Sequence, residues 1–500
     1  MAVLYPRAHR GAIDVGLWSA VRERYGVRTP LAELRAKAEG TELRRTLGAW
    51  DLTALGVGAM VGVGVFTVTG LVAADYAGPG VALSFVVAAL VSVLVALAYA
   101  ELATLMPLGG SAYTYAFASM GELVGWLVAW ALIASYGVGN AAIASGFSDN
   151  LSGLSEAFGM ALPQTWTATP GAGGLVDVPA ALVVGLVTIL LLRPVKESAS
   201  WNSALVVMKI GTLLLFIVLG ATAIDTANYT SFAPKGVEGI VAGAGLAFFA
   251  FLGFDAVSTA AEETRNPGRN VPLGILASLA IVVVLFVAAA LVLTGMAPSE
   301  LLRSGEPLAF ALRYADLGWA AVILNVGGLL ATLSVLLVFQ LATTRIVLAI
   351  ARDGLLPSWL AAVSAKHATP NRTTLILGAI VAVSAAALPL DFLIMLTNEA
   401  TLFFFAIVCL AVVVLRRTEP DAPRAFRCPG SPWVPLAGVG ACLYLMATFG
   451  PLIHYGFAAW MGVGLVLYAV YGIRASALRA ARAKRGAETA PVAPAPPVEP

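Results

Sequence analysis

The sequence predicts an all-α integral membrane fold. Three observations carry that expectation: 59% of the 500 residues are hydrophobic, only 12% are charged, and the mean hydropathy is +0.88. A soluble domain carries about 25% charged residues. Apolar runs able to cross a hydrocarbon core of about 30 Å recur twelve times. They lie at 51–73, 82–106, 122–147, 177–193, 203–224, 238–259, 273–297, 319–345, 374–390, 393–415, 432–450 and 456–474.

Residues 1–50 carry nine Lys or Arg and no apolar h-region, so they read as a cytoplasmic segment with an amphipathic helix over 19–50 rather than as a signal peptide. An even number of spans places both termini on one side. Of the 30 basic residues, twenty-six fall on that side, three (Lys235, Arg303 and Arg313) on the other, and one, Lys209, within a span. The basic side is the cytoplasmic one, which makes a plasma-membrane protein with both termini inside. Residues 476–500 end in AETAPVAPAPPVEP, an Ala/Pro-rich composition that reads as a disordered cytoplasmic tail.

The transmembrane domain, 51–475, is organised by glycine. GVGAMVGVGVF (56–66) places Gly56, Gly58, Gly62 and Gly64 in the first span, each costing roughly 1 kcal/mol against alanine in a helix interior. The sixth span carries GAGLAFFAFLGFD (243–255). Close helix packing through small residues accounts for one such cluster. Two in matching places point to interrupted helices opening two five-span halves, about 51–224 and 238–415, with the spans over 432–474 as a peripheral pair. That is the pattern of a 5+5 inverted repeat around a midplane site. Backbone groups freed by a break cannot be left to lipid. Exposed N–H groups suit a carboxylate and exposed carbonyls suit an ammonium or a cation, so a zwitterion would answer both breaks.

Several segments carry a resemblance. LGAWDLTALGVGAMVGVGVFTVTG (47–70), YAELATLMPLGGSAYTYAF (99–117), VKESASWNS (195–203), FFAFLGFDAVSTAAEETRNPGRNVPLGI (248–275), ARDGLLP (351–357) and LRRTEPDAPRAFRCPGSPWVP (415–435) stand in order along the chain. Together they resemble the amino acid–polyamine–organocation superfamily of secondary transporters, and within it the bacterial members similar to cationic amino acid transporters. The resemblance implies an amino acid held between the breaks of helices 1 and 6. Its carboxylate would meet backbone amides around Val61, Gly62, Val63 and Gly64, with Met60 also at the binding site, and its ammonium the carbonyls of Phe249, Ala250 and Leu252, with the ring of Phe249 as the outer lid. The chain departs from the family pattern at Val63, where relatives often carry a hydroxyl, at Ser135, where they often carry an acid, and at Glu399, where they are apolar or small.

Ionisable residues inside a membrane are functional candidates by default. Glu101, near the cytoplasmic end of the second span, reads as an interfacial structural residue, and Asp255 as an acceptor for the unwound sixth span or as a specificity residue. Glu399 lies six residues into its span, roughly 9 Å deep, where it could line the entry path, set charge preference or pair locally. Lys209 is the one basic residue within a span, at a cost of roughly 2.5–3.5 kcal/mol if charged. Snorkelling to the interface is its plain reading. The resemblance adds that proton-coupled relatives place a lysine here, beside the first break, where sodium-driven transporters of this architecture hold a sodium ion. The implied activity is proton-coupled amino acid symport by alternating access, with exchange of amino acids as the alternative.

Other classes lack their signatures. No H-E-x-x-H, no placed G-x-S-x-G and no His or Cys cluster supports a membrane-embedded enzyme, and no Gly-Lys pair exists for a P-loop pump. The GGSAYTY segment (109–115) reads as a turn into a surface segment. Three scattered cysteines and three histidines suggest no metal or cofactor, and a net charge of +2 gives no nucleic-acid surface. The expected partners are an amino acid, a proton and the lipid bilayer.

Overall fold

The computed structural model describes residues 45–108, 110–193, 199–364 and 369–476. Nearly all of the amphipathic segment expected over 19–50, the tail beyond 476 and part of VKESASWNS lie outside them. Among the described residues, eight helical stretches are long and apolar enough to cross a membrane, and three shorter apolar helices accompany them. Two isolated β-bridges are the extended pairing found there.

The first break falls where the glycines predict it. Helix α1, Ala49–Met60, starts at Gly48, whose N–H donates to the Asp51 carboxylate at 2.8 Å, and stops at Val61, which is extended. Helical turns resume over 64–77. The expected loop between the first two spans shrinks to a tight turn: the chain stays helical to Ala77, reverses at Gly78 with φ +59°, and enters α2, Val81–Leu105. Gly78 makes this reversal because a side chain is strained at that φ. The segment expected on the surface is instead α3, Ser111–Met120, with Ser111, Ala112 and Tyr115 buried. Its small residues let it tuck under the longer helices.

The longest helix, α4 (Glu122–Ala157), runs the depth of the molecule. After it come α5 (Val178–Leu191), capped by Asp177 accepting from the Ala180 amide at 3.0 Å, and α6 (Ala199–Ala221). The second break follows α7 (Gly236–Ala247): the turn tightens over Phe248–Phe251, Leu252 is extended, and Gly253 has φ +118°. Helices α8 (Pro267–Met296), α9 (Pro307–Tyr314), α10 (Gly318–Arg352), α11 (Asn371–Ala387), α12 (Leu390–Thr418), α13 (Trp433–Met446) and α14 (Pro451–Leu467) complete the domain. Several begin at proline, whose fixed φ and missing N–H suit a first turn.

At the centre α4 packs on α10 and α12, α8 packs on α1 and α2, and α6 lies along α10. Buried ion pairs and indoles fasten the periphery. Glu101 is 1% exposed and accepts from Arg416 at 3.0 and 2.6 Å and from the Cys428 amide at 2.7 Å, with Arg424 Nε at 3.1 Å. It ties the segment after α12 to the end of α2, the structural role expected of it. Trp130 and Trp460 each donate to the other's carbonyl, at 2.8 and 3.0 Å, and hold α14 against α4. Just before α1, Thr46 donates to the Glu263 carbonyl and Arg265 to that of Leu47, both at 2.8 Å, so the chain entering the first break is tied to the chain leaving the second.

Candidate functional site

An α-helical N–H bonds the carbonyl four residues back, and that pattern fails between Met60 and Val65. The Val61 amide still reaches Val57, and those of Val65 and Phe66 reach Gly62. Among the described residues the amides of Gly62, Val63 and Gly64 have no backbone acceptor. Three N–H groups at the start of a helical segment make a place for negative charge. The carbonyl of Gly58, deprived of its usual donor at Gly62, is met by Lys209 Nζ of α6 at 2.9 Å. Lys209 is fully buried and does not snorkel.

The second break presents the opposite polarity. The carbonyl of Phe249 is taken by the Leu252 amide at 3.3 Å, while those of Ala250, Phe251 and Leu252 accept no backbone N–H among the described residues. The two breaks cross almost in contact. A Cβ on Gly64 would lie 2.3 Å from the Cα of Ala250, and one on Gly253 would lie 2.8 Å from the Cβ of Ala59. At Gly62 a Cβ would meet only the side chain of Val335, with Cγ2 at 3.2 Å and Cβ at 3.8 Å. Gly64 is therefore required by close backbone approach, Gly253 by approach and by its positive φ, and Gly62 by neither.

Between the breaks lies a pocket lined by Ala59, Met60, Gly62, Val63, Gly64, Phe249 and Leu252, with Ile143 of α4 and Val335 and Phe339 of α10. Val61 and Ala250, also expected at the site, stand in the crossing but outside the lining. Sequence reasoning missed Ile143, Val335 and Phe339, apolar residues within long apolar helices where no local signal separates a lining position from a core one. Every side chain facing the pocket is apolar. The ring of Phe249 is buried.

The remaining candidates lie away from this lining. Asp255 accepts from Tyr136 Oη of α4 at 2.9 Å, which ties the second break to α4, and the ring of Tyr136 meets that of Phe339 edge-on at 4.9 Å. Glu399 is not among the lining residues: its carboxylate is buried and bonded to His454 Nδ1 of α14 at 2.9 Å. Of the readings open for it, local pairing is the one its geometry fits, because α12 turns that face toward α14. Ser135, at the family's acidic position, bonds Thr401 at 2.6 Å. No group of three or more metal-ligating side chains is found among the described residues.

Residues 47–492 match the amino acid permease family. The chain belongs to that family. This permease is 40% identical over 454 residues to a branched-chain amino acid permease of Bacillus subtilis (strain 168), covering 90% of this chain and 97% of that one. It is 39% identical over 451 residues to a methylthioribose transporter of the same organism, covering 90% and 98%. It is 38% identical over 390 residues to the vacuolar cationic amino acid transporter 4 of Arabidopsis thaliana, covering 76% and 64%. The superfamily expected from the sequence motifs is thus the right one, and the permease is a multi-pass membrane transport protein rather than an enzyme.

Proposed function

We propose that this permease is a proton-coupled symporter of neutral amino acids with apolar side chains, the branched-chain ones foremost. It would work in the plasma membrane by alternating access, with twelve spans, an inverted repeat of five and five, and both termini cytoplasmic. The observation that carries the reading is the crossing of the two breaks over an apolar pocket: three unpaired amides on one side, three carbonyls on the other, and no charged side chain in the lining. The amides would take the carboxylate and the carbonyls the ammonium. Burying a cationic side chain against Ile143, Val335 and Phe339 would leave its charge unpaired, at a cost of several kcal/mol.

Coupling is assigned to Lys209. Protonated, it holds the Gly58 carbonyl and with it the end of α1; deprotonated, a neutral amine would hold it less firmly and let α1 and α6 part. The substrate reading is tested by thermal stabilisation of the purified protein. A ligand at 100 times its dissociation constant raises stability by about 2.7 kcal/mol. Leucine, isoleucine and valine should stabilise; lysine, arginine, methylthioribose and leucinamide, which lacks the carboxylate, should not. Stabilisation by leucinamide equal to that by leucine would refute the carboxylate site. Coupling is tested in proteoliposomes: Lys209→Ala should still bind leucine but lose accumulation driven by an inward proton gradient. Accumulation that persists in the variant would remove Lys209 from the coupling role and favour exchange.

A further inference from the structure

The carbonyl that Lys209 meets has a counterpart at the second break. The Phe248 amide bonds Ala244, four residues back, and the turn then tightens over Phe248–Phe251 to bonds that reach three residues back. Each such tightening leaves one carbonyl without its donor. Here that carbonyl belongs to Gly245, and Asn398 Nδ2 of α12 donates to it at 2.8 Å, with a longer contact of 3.3 Å to Leu246. Two facing carbonyls require a donor, so the amide orientation follows from the contacts. Asn398 is fully buried, and its Oδ1 has no partner among the described residues. An apolar residue would avoid that cost, so the amide is placed there for its N–H.

The two ties have the same logic. Lys209 stands on the fifth span counted from the first break, Asn398 on the fifth counted from the second, and each donates to the carbonyl orphaned where the helix is interrupted. They differ in chemistry, since an ammonium can lose its proton and a carboxamide cannot. The ionisable pair next to Asn398 is Glu399 with His454, and it points from the adjacent position toward α14.

We propose that Asn398 is a positioning residue, the fixed counterpart of Lys209, which holds the carbonyls of the second break in their binding geometry whatever the state of the coupling proton. The inference rests on the site proposed above. One half of the site then answers to protons, while the other stays a constant reference for the substrate's ammonium.

The test is calorimetric binding of L-leucine to the purified, full-length protein over a range of pH, in wild type, Asn398→Ala, Asn398→Asp and Lys209→Ala. Asn398→Ala should weaken binding about tenfold, the factor set by about 1.4 kcal/mol, and by the same factor at every pH. Asn398→Asp keeps the shape but donates only when its carboxyl is protonated. Its binding should be weak at high pH and recover as pH falls, a reversible change within one folded protein that general destabilisation would not produce. Lys209→Ala should change the slope of affinity with pH, which Asn398→Ala leaves parallel to wild type. Wild-type affinity in both Asn398 variants, or a slope altered by Asn398→Ala as by Lys209→Ala, would overturn the assignment. Wild-type protein that binds no leucine would overturn the substrate reading, and this inference with it.

Discussion

The two interruptions of this permease are alike in place and opposite in chemistry. Among the described residues the first break leaves three amides without backbone acceptors, and it carries glycines at 62 and 64 beside Val61 and Val63. The second leaves carbonyls and is built from aromatic ones, Phe248, Phe249 and Phe251, with a single glycine at 253. At the first break the close approach of backbone to backbone falls at Gly64, where a Cβ would lie 2.3 Å from Ala250 Cα, so a side chain is excluded there. The second break carries bulky rings beside its free carbonyls. In the proposed site, two broken helices would present both polarities without a charged side chain in the wall: direction along the helix supplies the sign.

The largest effect that would break this contrast comes at Gly64. With Ala250 Cα 2.3 Å from its missing Cβ, Gly64→Leu should separate the two breaks and abolish leucine uptake while surface expression persists. Gly62→Ala should retain substantial uptake, because its nearest neighbour is a methyl of Val335 at 3.2 Å that can shift by a few tenths of an ångström. Uptake assays that rank the two positions the other way would mean that Gly62, and not the crossing at Gly64, is the critical approach.

A smaller effect is expected on the aromatic side. Removing the ring in Phe249→Ala opens the lid and should raise the apparent KM several-fold with substrate leaking from preloaded vesicles, whereas Phe249→Trp should be milder. Wild-type transport kinetics in Phe249→Ala would reduce the ring to packing and make the second break merely a scaffold. The smallest effect sharpens the comparison from outside the pocket. Glu399→Gln removes a charge one residue from Asn398 but keeps a group able to bond His454, so selectivity for leucine over lysine should be unchanged in competition assays. Entry of lysine into the competition would show that Glu399 acts on the site after all.

Much of this was legible before any coordinates. Glycine inside a membrane span is a local signal, and both breaks follow from it; Lys209 stood out as the one basic residue within a span, and the family resemblance supplied the positions of the lining residues that the breaks contribute. The boundary between the first two spans was not, because Gly78 turns the chain within three residues and leaves no loop to see. The segment at 109–115 looked superficial for a related reason: small polar residues are as compatible with a tucked-in buried helix as with an interface. Glu399 was visible as an anomaly, yet its partner His454 lies 55 residues away on another helix, a distance no periodicity spans.

By itself, then, the order of residues determined that the chain crosses the membrane many times and that two of its helices are interrupted. These properties depend on the span, the glycines and the hydrogen-bonding rule of the helix, all read within a dozen neighbouring residues. Only tertiary structure decided that the breaks cross at Gly64 and Ala250, that Ile143, Val335 and Phe339 wall the pocket with apolar surface, and that Lys209 and Asn398 each reach an orphaned carbonyl more than 150 residues away. In helices apolar on nearly every face, the side that meets a neighbour is chosen by packing, which no local pattern encodes.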